Sequence, residues 1–303
     1  MDTTKKAKVI INAQQKGGVG KTTDTVMEAV VAATVFDKKV LVIDTDLQAN
    51  ATTVLSRTFH VEELPMTLMR ALEQEDLRPA IVKLNDNLSM IPSGYDMRNY
   101  GDFLNETFDT LEDRTFYLKK LIDPLKADFE YIFIDVPPST DLKVDNAMVA
   151  ADYVIVVQET QQFSFEGSKR LIFEYLQILS DDFGEMITTQ VIGILPVLLQ
   201  KRRALHQKIV EQTEEEFGKD NVFNTIINNH ARLEYYPRLG IQFEDVHDKK
   251  MFALFADIFN ELEQRIALYE ATGDIKDFTY HHLYVNDNKL TAKGKELKAH
   301  GLN

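Results

Sequence analysis

The stretch Lys8–Thr23, KVIINAQQKGGVGKTT, joins a short apolar run to a glycine-rich loop that ends in Lys-Thr-Thr. Its first part, Val9–Ile11, predicts a buried strand, and residues 22–36 have the composition of a helix. Glycines allow the loop backbone to adopt positive φ angles and to bring its N–H groups close to a ligand. The positive end of the helix dipole adds to those donors. This stretch therefore predicts a polyphosphate-binding site between a strand and a helix.

The residues of this loop have distinct predicted tasks. Lys21 would reach the β- and γ-phosphates of ATP, and the Thr22 hydroxyl would hold Mg²⁺. A glycine-rich turn without a ligand is the alternative, but such a turn would not need the strand, the spacing and the Lys-Thr pair together. Asp24 places an unfavourable charge near the phosphates, although a helix N-terminus tolerates it. The predicted ATP-binding residues are Gly17, Gly18, Val19, Gly20, Lys21, Thr22 and Thr23.

Two further apolar runs end in carboxylates. VLVIDTD at 40–46 and YIFIDVPPS at 131–139 begin without polar alternation, as expected of strands in a parallel sheet covered on both faces. Strands alternate with helical segments along the chain, which predicts an α/β fold with a doubly wound, mostly parallel sheet flanked by helices. Because such sheets bind ligands at the carboxyl ends of their strands, we expect Asp44, Asp46 and Asp135 beside the phosphate loop. For the first two, capping of the following helix is the alternative.

The phosphate loop departs from the common pattern G-x-x-x-x-G-K-[ST], because position 15 is Gln15 rather than glycine and Lys16 follows it. KGGVGKTT resembles the deviant Walker A motif of the ParA/MinD superfamily of dimerising P-loop ATPases. The resemblance implies that Lys16 contacts the nucleotide of a partner subunit, so that ATP binding produces a sandwich homodimer. A solvated lysine beside the loop is the alternative.

The two carboxylate-ending strands carry the same resemblance. IDTDLQANAT resembles the Walker A′ motif DxDxQ of the ParA branch, with Leu47 where that branch usually has proline, and YIFIDVPPS resembles the Walker B and switch II segment. By resemblance, Asp46 positions the attacking water, which fits the need of phosphoryl transfer for an oriented nucleophile. The predicted catalytic residues are Lys16, Lys21 and Asp46, and the predicted Mg²⁺ ligands are Thr22, Asp44 and Asp135.

The segment after Pro196 is basic near its start, with QKRRALHQ, and later contains HARLEYYPRLG. Both stretches resemble the part of ParA proteins that binds nonspecific double-stranded DNA. The resemblance implies that Arg202 and Arg232 contact DNA, and cations that neutralise phosphates account for sequence-independent binding. The alternative for Lys201–Arg203 is that these residues only solvate the start of a helix. The predicted DNA-binding residues are Lys201, Arg202, Arg203, Arg232 and Arg238.

Composition narrows these possibilities. The chain has 303 residues and a formal net charge of -14, so nucleic-acid binding must use local basic patches. Cysteine is absent, which excludes disulfides, thiol catalysis and the cysteine-held iron–sulfur cluster of the nitrogenase iron-protein branch. Since no apolar run approaches the ~18 residues of a membrane span, we expect a cytoplasmic protein. We expect a single ATPase domain over 1–272 and a polar tail over 273–303.

Together the motifs resemble a ParA-type plasmid partition ATPase. The resemblance implies an ATP-bound dimer associated with the nucleoid, and a small centromere-binding, ParB-like partner that stimulates hydrolysis. By length and by IDTDLQANATT the chain resembles the δ type, whose partner is a ribbon-helix-helix protein. A MinD-like membrane-cycling ATPase is the main alternative, but the end KLTAKGKELKAHGLN is a poor lipid anchor, so we expect no membrane binding. A tyrosine-kinase-like enzyme is a further alternative, although Tyr280 and Tyr284 are few for its tyrosine cluster.

Overall fold

A computed structural model describes residues 6–243, 245–286 and 289–290 of the chain. Its centre is a seven-stranded sheet in which β3 is antiparallel to β4 and every other pairing is parallel. The spatial order is β3-β4-β2-β5-β1-β6-β7, which confirms the predicted doubly wound α/β fold. The strands are β1 Lys8–Ala13, β2 Val40–Asp44, β3 Val82–Lys83, β4 Leu88–Ile91, β5 Tyr131–Asp135, β6 Tyr153–Glu159 and β7 Gln190–Val197.

Helices cover both faces of this sheet. The π-helical turn Leu171–Tyr175 joins the helix Gln162–Arg170 to the helix Leu176–Phe183, so that the three segments form one continuous helix with an irregular middle. The helices are α1 Lys21–Thr34, α2 Asn50–Phe59, α3 Leu68–Glu73, α4 Tyr100–Thr107, α5 Leu111–Ile122, α6 Leu142–Ala150, α7 Gln162–Arg170, α8 Leu176–Phe183, α9 Ala204–Phe217, α10 Tyr236–Leu239 and α11 Val246–Thr272.

The side chains of each strand alternate between two cores. Ile10 and Phe133 pack with α1, α2 and α11 on one face, whereas Ile11 and Ile134 pack with α3 to α6 on the other. Because both faces are covered, consecutive positions in the middle of β1, β2 and β5 are apolar. The register pairs Asp44 directly with Asp135, so the two carboxylates meet at the edge where β1 enters the phosphate loop.

The chain remains packed beyond the predicted domain boundary at residue 272. Gly273 ends α11 in the left-handed conformation that glycine favours, with φ 78°. Ile275, Tyr280 and Leu283 are then buried, and the Tyr280 hydroxyl donates to the carbonyl of Asp257 on α11. Backbone pairing of Tyr284–Asn286 with Lys289–Leu290 forms a short antiparallel pair, β8 and β9. Residues 273–283 of the expected polar tail therefore pack on α11, because they carry these three buried anchors. Residues 291–303 lie outside the described residues.

No helix among the residues that the structure describes is long and apolar enough to span a membrane.

A buried ion pair fastens the segment after β7 to α11. Arg265 and Glu261 are both fully buried, with Nε and Oε1 3.0 Å apart. Arg265 also donates to the carbonyl of Val222, at 2.6 Å, while Glu261 accepts the backbone N–H groups of Asn224 and Thr225. These contacts take the place of regular strand pairing. Among the described residues, the segment 218–230 forms only isolated bridges with β7 and the residues just after it, such as that between Val222 and Ile194. The pair therefore fixes a segment that lacks regular sheet hydrogen bonds.

Replacing Arg265 with methionine should lower the free energy of unfolding by about 3–5 kcal/mol, because it leaves the Glu261 carboxylate buried without its cation. Urea unfolding followed by circular dichroism measures this loss. The matched control is Lys83→Met, which removes an exposed ion pair with Asp86 and should cost less than about 1 kcal/mol. Equal losses for the two variants would show that the buried pair does not stabilise the fold.

Candidate nucleotide-binding site

The phosphate loop runs from β1 into α1 through two glycines with positive φ. Gly18 has φ 75° and Gly20, the residue before the helix, has φ 107°. Residues with a side chain rarely adopt these backbone angles, which explains why glycine occupies both positions. No side chain caps this end of α1, in agreement with a loop whose N–H groups face a ligand.

A cavity of about 460 Å³ lies beside this loop. It occupies the carboxyl edge of the sheet, where α/β folds of this topology bind ligands. A larger cavity, of about 650 Å³, lies at the opposite edge, but its charged side chains pair with one another, as Lys126 does with Asp152 and Lys8 with Glu270. The smaller cavity is lined by Gly18, Gly20, Lys21, Thr22, Thr23, Asp46, Gln48, Asn50, Thr53, Val54, Val136, Pro138 and Pro237.

Lys21 is buried at the base of the cavity. Its ammonium lies 3.4 Å from the carbonyl oxygen of Lys16. Burial lowers the pKa of Lys21, and the charges of Asp135 and Asp46 partly oppose this shift. A buried ammonium that only partly recovers its solvation from neighbouring carboxylates is suited to a polyphosphate, which would supply the missing negative charge.

Two of the three predicted magnesium ligands, Thr22 and Asp135, contact each other. The Thr22 hydroxyl donates to Oδ2 of Asp135 at 2.9 Å, while Oδ1 of the same buried carboxylate has no hydrogen-bond partner. Burial raises the pKa of Asp135, and repulsion from Asp44 adds to the shift. An unpartnered buried carboxylate oxygen beside a threonine hydroxyl matches the oxygen ligands that Mg²⁺ prefers. These two residues therefore fit the ion.

Asp44 is placed at the same edge but has an additional structural task. Its Oδ2 accepts the backbone N–H and the hydroxyl of Thr52 on α2, at 2.8 and 2.7 Å, and its Oδ1 accepts the backbone N–H of Asp46. Burial raises the pKa of Asp44 to about 6, against the effect of these hydrogen bonds. The carboxylate thus holds α2 in place, and its role as a direct Mg²⁺ ligand stays a prediction.

Asp46 lines the cavity while its Oδ1 accepts the backbone N–H of Gln48 at 3.0 Å. The side chain therefore holds the turn before α2 rather than capping the helix itself, and it also faces the space beside the phosphate loop. The two tasks are compatible, because a capped turn holds the carboxylate in one orientation.

Lys16 lies at the rim of this site. Its ammonium is 2.6 Å from Glu159 Oε2 and 3.4 Å from Gln161 Oε1, both just past the buried part of β6. In the single chain the lysine is therefore paired rather than solvated. Sequence reasoning missed Glu159, although a carboxylate at the end of a predicted strand was the same signal that identified Asp44 and Asp135.

Gln14 connects the phosphate loop to α7. Its buried amide donates to the carbonyls of Val157 and Ser164 and to the Ser168 hydroxyl, each at 3.2 Å. Its Oε1 accepts the N–H of Gln15 at the start of the loop, and a Cβ at Gly167 would come within 2.7 Å of that oxygen. Sequence reasoning did not find this contact, because nothing in local spacing indicates which polar side chain bridges to a helix 150 residues away.

Two acids of α1 lie buried behind the loop. Asp24 and Glu28 lie on adjacent turns of the helix. Glu28 accepts a hydrogen bond from the Asn12 amide at 3.0 Å, and both acids are buried. Burial raises the pKa of Glu28 to about 8 and also raises the pKa of Asp24, with repulsion from Glu28 adding to the latter. The protonated forms are thereby favoured, which relieves the unfavourable charge that the sequence places near the phosphates.

Glu28→Gln should remove part of the pH dependence of stability. The folded-state pKa of Glu28, about 8, exceeds the ordinary pKa of a glutamate. At pH values between these two, the folded chain binds more protons than the unfolded chain. The free energy of unfolding therefore falls as pH rises through that interval. The variant should lack the contribution of Glu28 to this slope and have the higher melting temperature at pH 8, measured by calorimetry at several pH values. The control is the exposed Glu174→Gln, and identical slopes for both variants would contradict the assignment.

The predicted DNA-binding residues do not form one cluster. Lys201, Arg202 and Arg203 are exposed on the turn before α9, whereas Arg238 is exposed on α10 and lines a different cleft. Arg232 is engaged by Asp248 and Asp245 at the start of α11, with its Nε and Nη2 2.6 and 2.7 Å from the Asp248 carboxylate. The structure therefore leaves the first three residues available to a phosphate backbone and occupies the principal donors of Arg232.

The fold and this site define a P-loop nucleotide-binding protein, and comparison with known proteins agrees. The family model described as "AAA domain" matches residues 7–188, more than half of the chain. The chromosome-partitioning ATPase Soj of Treponema pallidum is 30% identical over 234 residues, which cover 77% of this chain and 88% of the relative. The chain belongs to the ParA/Soj family of partition ATPases.

Solved structures support this assignment. A plasmid partition protein from Borrelia burgdorferi is 26% identical, with a TM-score of 0.62 over 77% of this chain and 95% of that protein. Cobyrinic acid a,c-diamide synthase from Mycobacterium smegmatis shares the fold at 21% identity, with a TM-score of 0.65 over 88% of this chain and 97% of that protein. The structure of that synthase contains an ATP analogue and magnesium. The similarity to the ParA family is confirmed, whereas the δ type stays a prediction.

Proposed function

We propose that this chain is a DNA-segregation ATPase that dimerises on ATP, binds DNA without sequence specificity and hydrolyses ATP when a centromere-binding partner stimulates it. The observation that carries the proposal is the Thr22–Asp135 pair with its unpartnered carboxylate oxygen, beside the buried Lys21 and in reach of the Asp46 turn. Membership in the ParA/Soj family supports the partition role.

In the proposed reaction each residue has a task that its position supports. Lys21 would bind the β- and γ-phosphates from the base of the cavity, and Thr22 with Asp135 would hold Mg²⁺. The ion, when bound, would neutralise charge on the phosphates. Asp46 would accept a hydrogen bond from the attacking water and orient it, because its turn keeps the carboxylate directed at the cavity.

Dimerisation would use the same edge of the sheet. Lys16 is at the rim, with its side chain 35% exposed and its ammonium on Glu159 and Gln161. We propose that the ammonium exchanges these partners for the phosphates of a nucleotide bound to the second subunit. Because the Lys16 side chain is partly exposed, solvent screens this ion pair, and breaking it costs less than breaking a fully buried pair.

Asp46 provides the sharpest test of hydrolysis. Asp46→Ala should retain ATP-dependent dimerisation, seen by light scattering, and lose phosphate release by about a hundredfold or more, because it removes the group that orients the water. Asp46→Asn is the matched control, since its amide oxygen can still accept the Gln48 N–H and cap the turn. An active Asn variant, or loss of dimerisation by that variant, would show that the role of Asp46 is structural.

DNA binding should involve the turn that carries Lys201, Arg202 and Arg203. We expect random-sequence duplex DNA to bind only with ATP and Mg²⁺, and each alanine substitution at these positions to lower the slope of log affinity against log salt by about 1. The control Arg78→Ala removes an exposed arginine paired with Asp128, just before β5 at the opposite edge of the sheet.

The same experiment includes liposomes as a parallel ligand. ATP-dependent binding to liposomes without binding to DNA would overturn the partition proposal in favour of a membrane-cycling ATPase. In the proposed cycle the ATP-bound dimer associates with the nucleoid, and a small centromere-binding, ParB-like protein then stimulates hydrolysis. If the chain is of the δ type, this partner would be a ribbon-helix-helix protein.

A further inference from the structure

Residues 231–241 connect the start of α11 to the nucleotide cavity. They comprise a 3₁₀ turn, Ala231–Tyr235, then α10 and the return to Ile241. Pro237 lies in the middle of this segment and lines the cavity together with Lys21 and Asp46. The position of one wall of the cavity therefore depends on what holds the two ends of the segment.

Arg232 holds the first end. Its Nε lies 2.6 Å from Oδ1 of Asp248 and its Nη2 lies 2.7 Å from Oδ2, so the guanidinium and the carboxylate meet as two parallel hydrogen bonds. Asp248 is fully buried and belongs to the capping box that begins α11 with Asp245. Such a two-point contact fixes orientation as well as distance, which a single lysine-like charge would not do.

Contacts with α2 hold the second end. Gly240 has φ 75°, and a Cβ there would lie 2.6 Å from the backbone nitrogen of Thr58. The N–H of Ile241 donates to the Thr58 hydroxyl at 2.8 Å, and the Arg57 guanidinium donates to the carbonyl of Pro237. The same helix lines the cavity with its first turn, so the segment and α2 form one continuous wall.

We propose that Arg232 is a positioning residue for nucleotide binding rather than a DNA contact. Acting through Asp248, it keeps the segment 231–241 against α2 and thereby keeps Pro237 at the nucleotide cavity. Its Nε and Nη2 donate to a buried carboxylate, which fixes the guanidinium in one orientation, whereas a phosphate contact requires a guanidinium that is free to turn toward DNA. The inference rests on the proposed binding of nucleotide in this cavity and assigns to Arg232 a role different from that implied by resemblance.

Asp248→Asn separates the two roles by the sign of its effect. If Arg232 were a DNA contact restrained by Asp248, neutralising the acid would release it and raise affinity for DNA. If Arg232 positions the wall, the same change removes the anchor and weakens nucleotide binding. The test measures a fluorescent ATP analogue with Mg²⁺ by titration, and random-sequence duplex DNA across a salt series at saturating nucleotide.

We expect Asp248→Asn and Arg232→Ala each to raise the dissociation constant of the ATP analogue about tenfold, the effect of losing one charge-assisted hydrogen bond. Arg232→Lys should bind the ATP analogue nearly as weakly as Arg232→Ala, because an ammonium cannot form the two-point contact. The salt slope of DNA binding should stay that of the wild type. Arg203→Ala should show the opposite signature, a lower salt slope at saturating nucleotide.

The exposed pair Arg78 and Asp128 supplies the matched controls Arg78→Ala and Asp128→Asn, which should alter neither measurement. Unchanged nucleotide affinity together with stronger DNA binding in Asp248→Asn would overturn the proposal. Failure of the wild type to bind DNA would overturn the partition function alone, since the nucleotide titration decides the role of Arg232 without DNA.

Hydrogen exchange on the wild-type protein covers the case in which the variants fail to fold. Binding of the ATP analogue with Mg²⁺ should slow amide exchange across residues 231–241 at least tenfold, because the ligand and the Arg232 anchor then hold the same segment from two sides. Unchanged exchange in this segment, with protection confined to the phosphate loop, would also overturn the proposal.

Discussion

The parallel register between β2 and β5 places Asp44 directly beside Asp135, next to the loop in which β1 ends. Two buried carboxylates at this distance from a phosphate loop are costly unless donors or cations compensate them. Thr52 satisfies the first, Thr22 satisfies half of the second, and one oxygen of Asp135 remains without a partner. The edge is therefore built with a deficit of positive charge, which is the property that a magnesium–polyphosphate site requires.

The phosphate loop is held from two directions. On one side the Gln14 amide links it to β6 and α7, and on the other the Asp44–Thr52 contact ties the neighbouring strand to α2. Both contacts are buried, so neither is screened by solvent. A ligand in the cavity consequently contacts a loop whose supports extend to helices on both flanks of the site. The proposed dimer would form at the rim where Lys16 meets Glu159.

Beyond β7 the chain follows a different structural rule. Between β7 and α11, the described residues form isolated bridges instead of regular sheet pairing, and two ion pairs fix the backbone. Arg265 with Glu261 secures residues 220–225, and Arg232 with Asp248 secures the start of the segment that reaches the cavity. Both partners are buried in the first pair and the acid is buried in the second, so the charges are expensive to desolvate. The two pairs nevertheless select one arrangement of a segment that has few other constraints.

The sequence alone determined the fold class, the phosphate loop and the carboxylates at the strand ends, because strand periodicity, glycine positions and strand-end residues are local features. It also identified the basic turn at Lys201–Arg203, where exposure requires no particular partner. Only the tertiary structure decided the partners of Gln14, Lys16 and Arg232, since each contact joins positions distant in sequence whose meeting depends on strand order and helix placement. The sequence shows the charge of Arg232, but it does not show the buried acid that engages this residue.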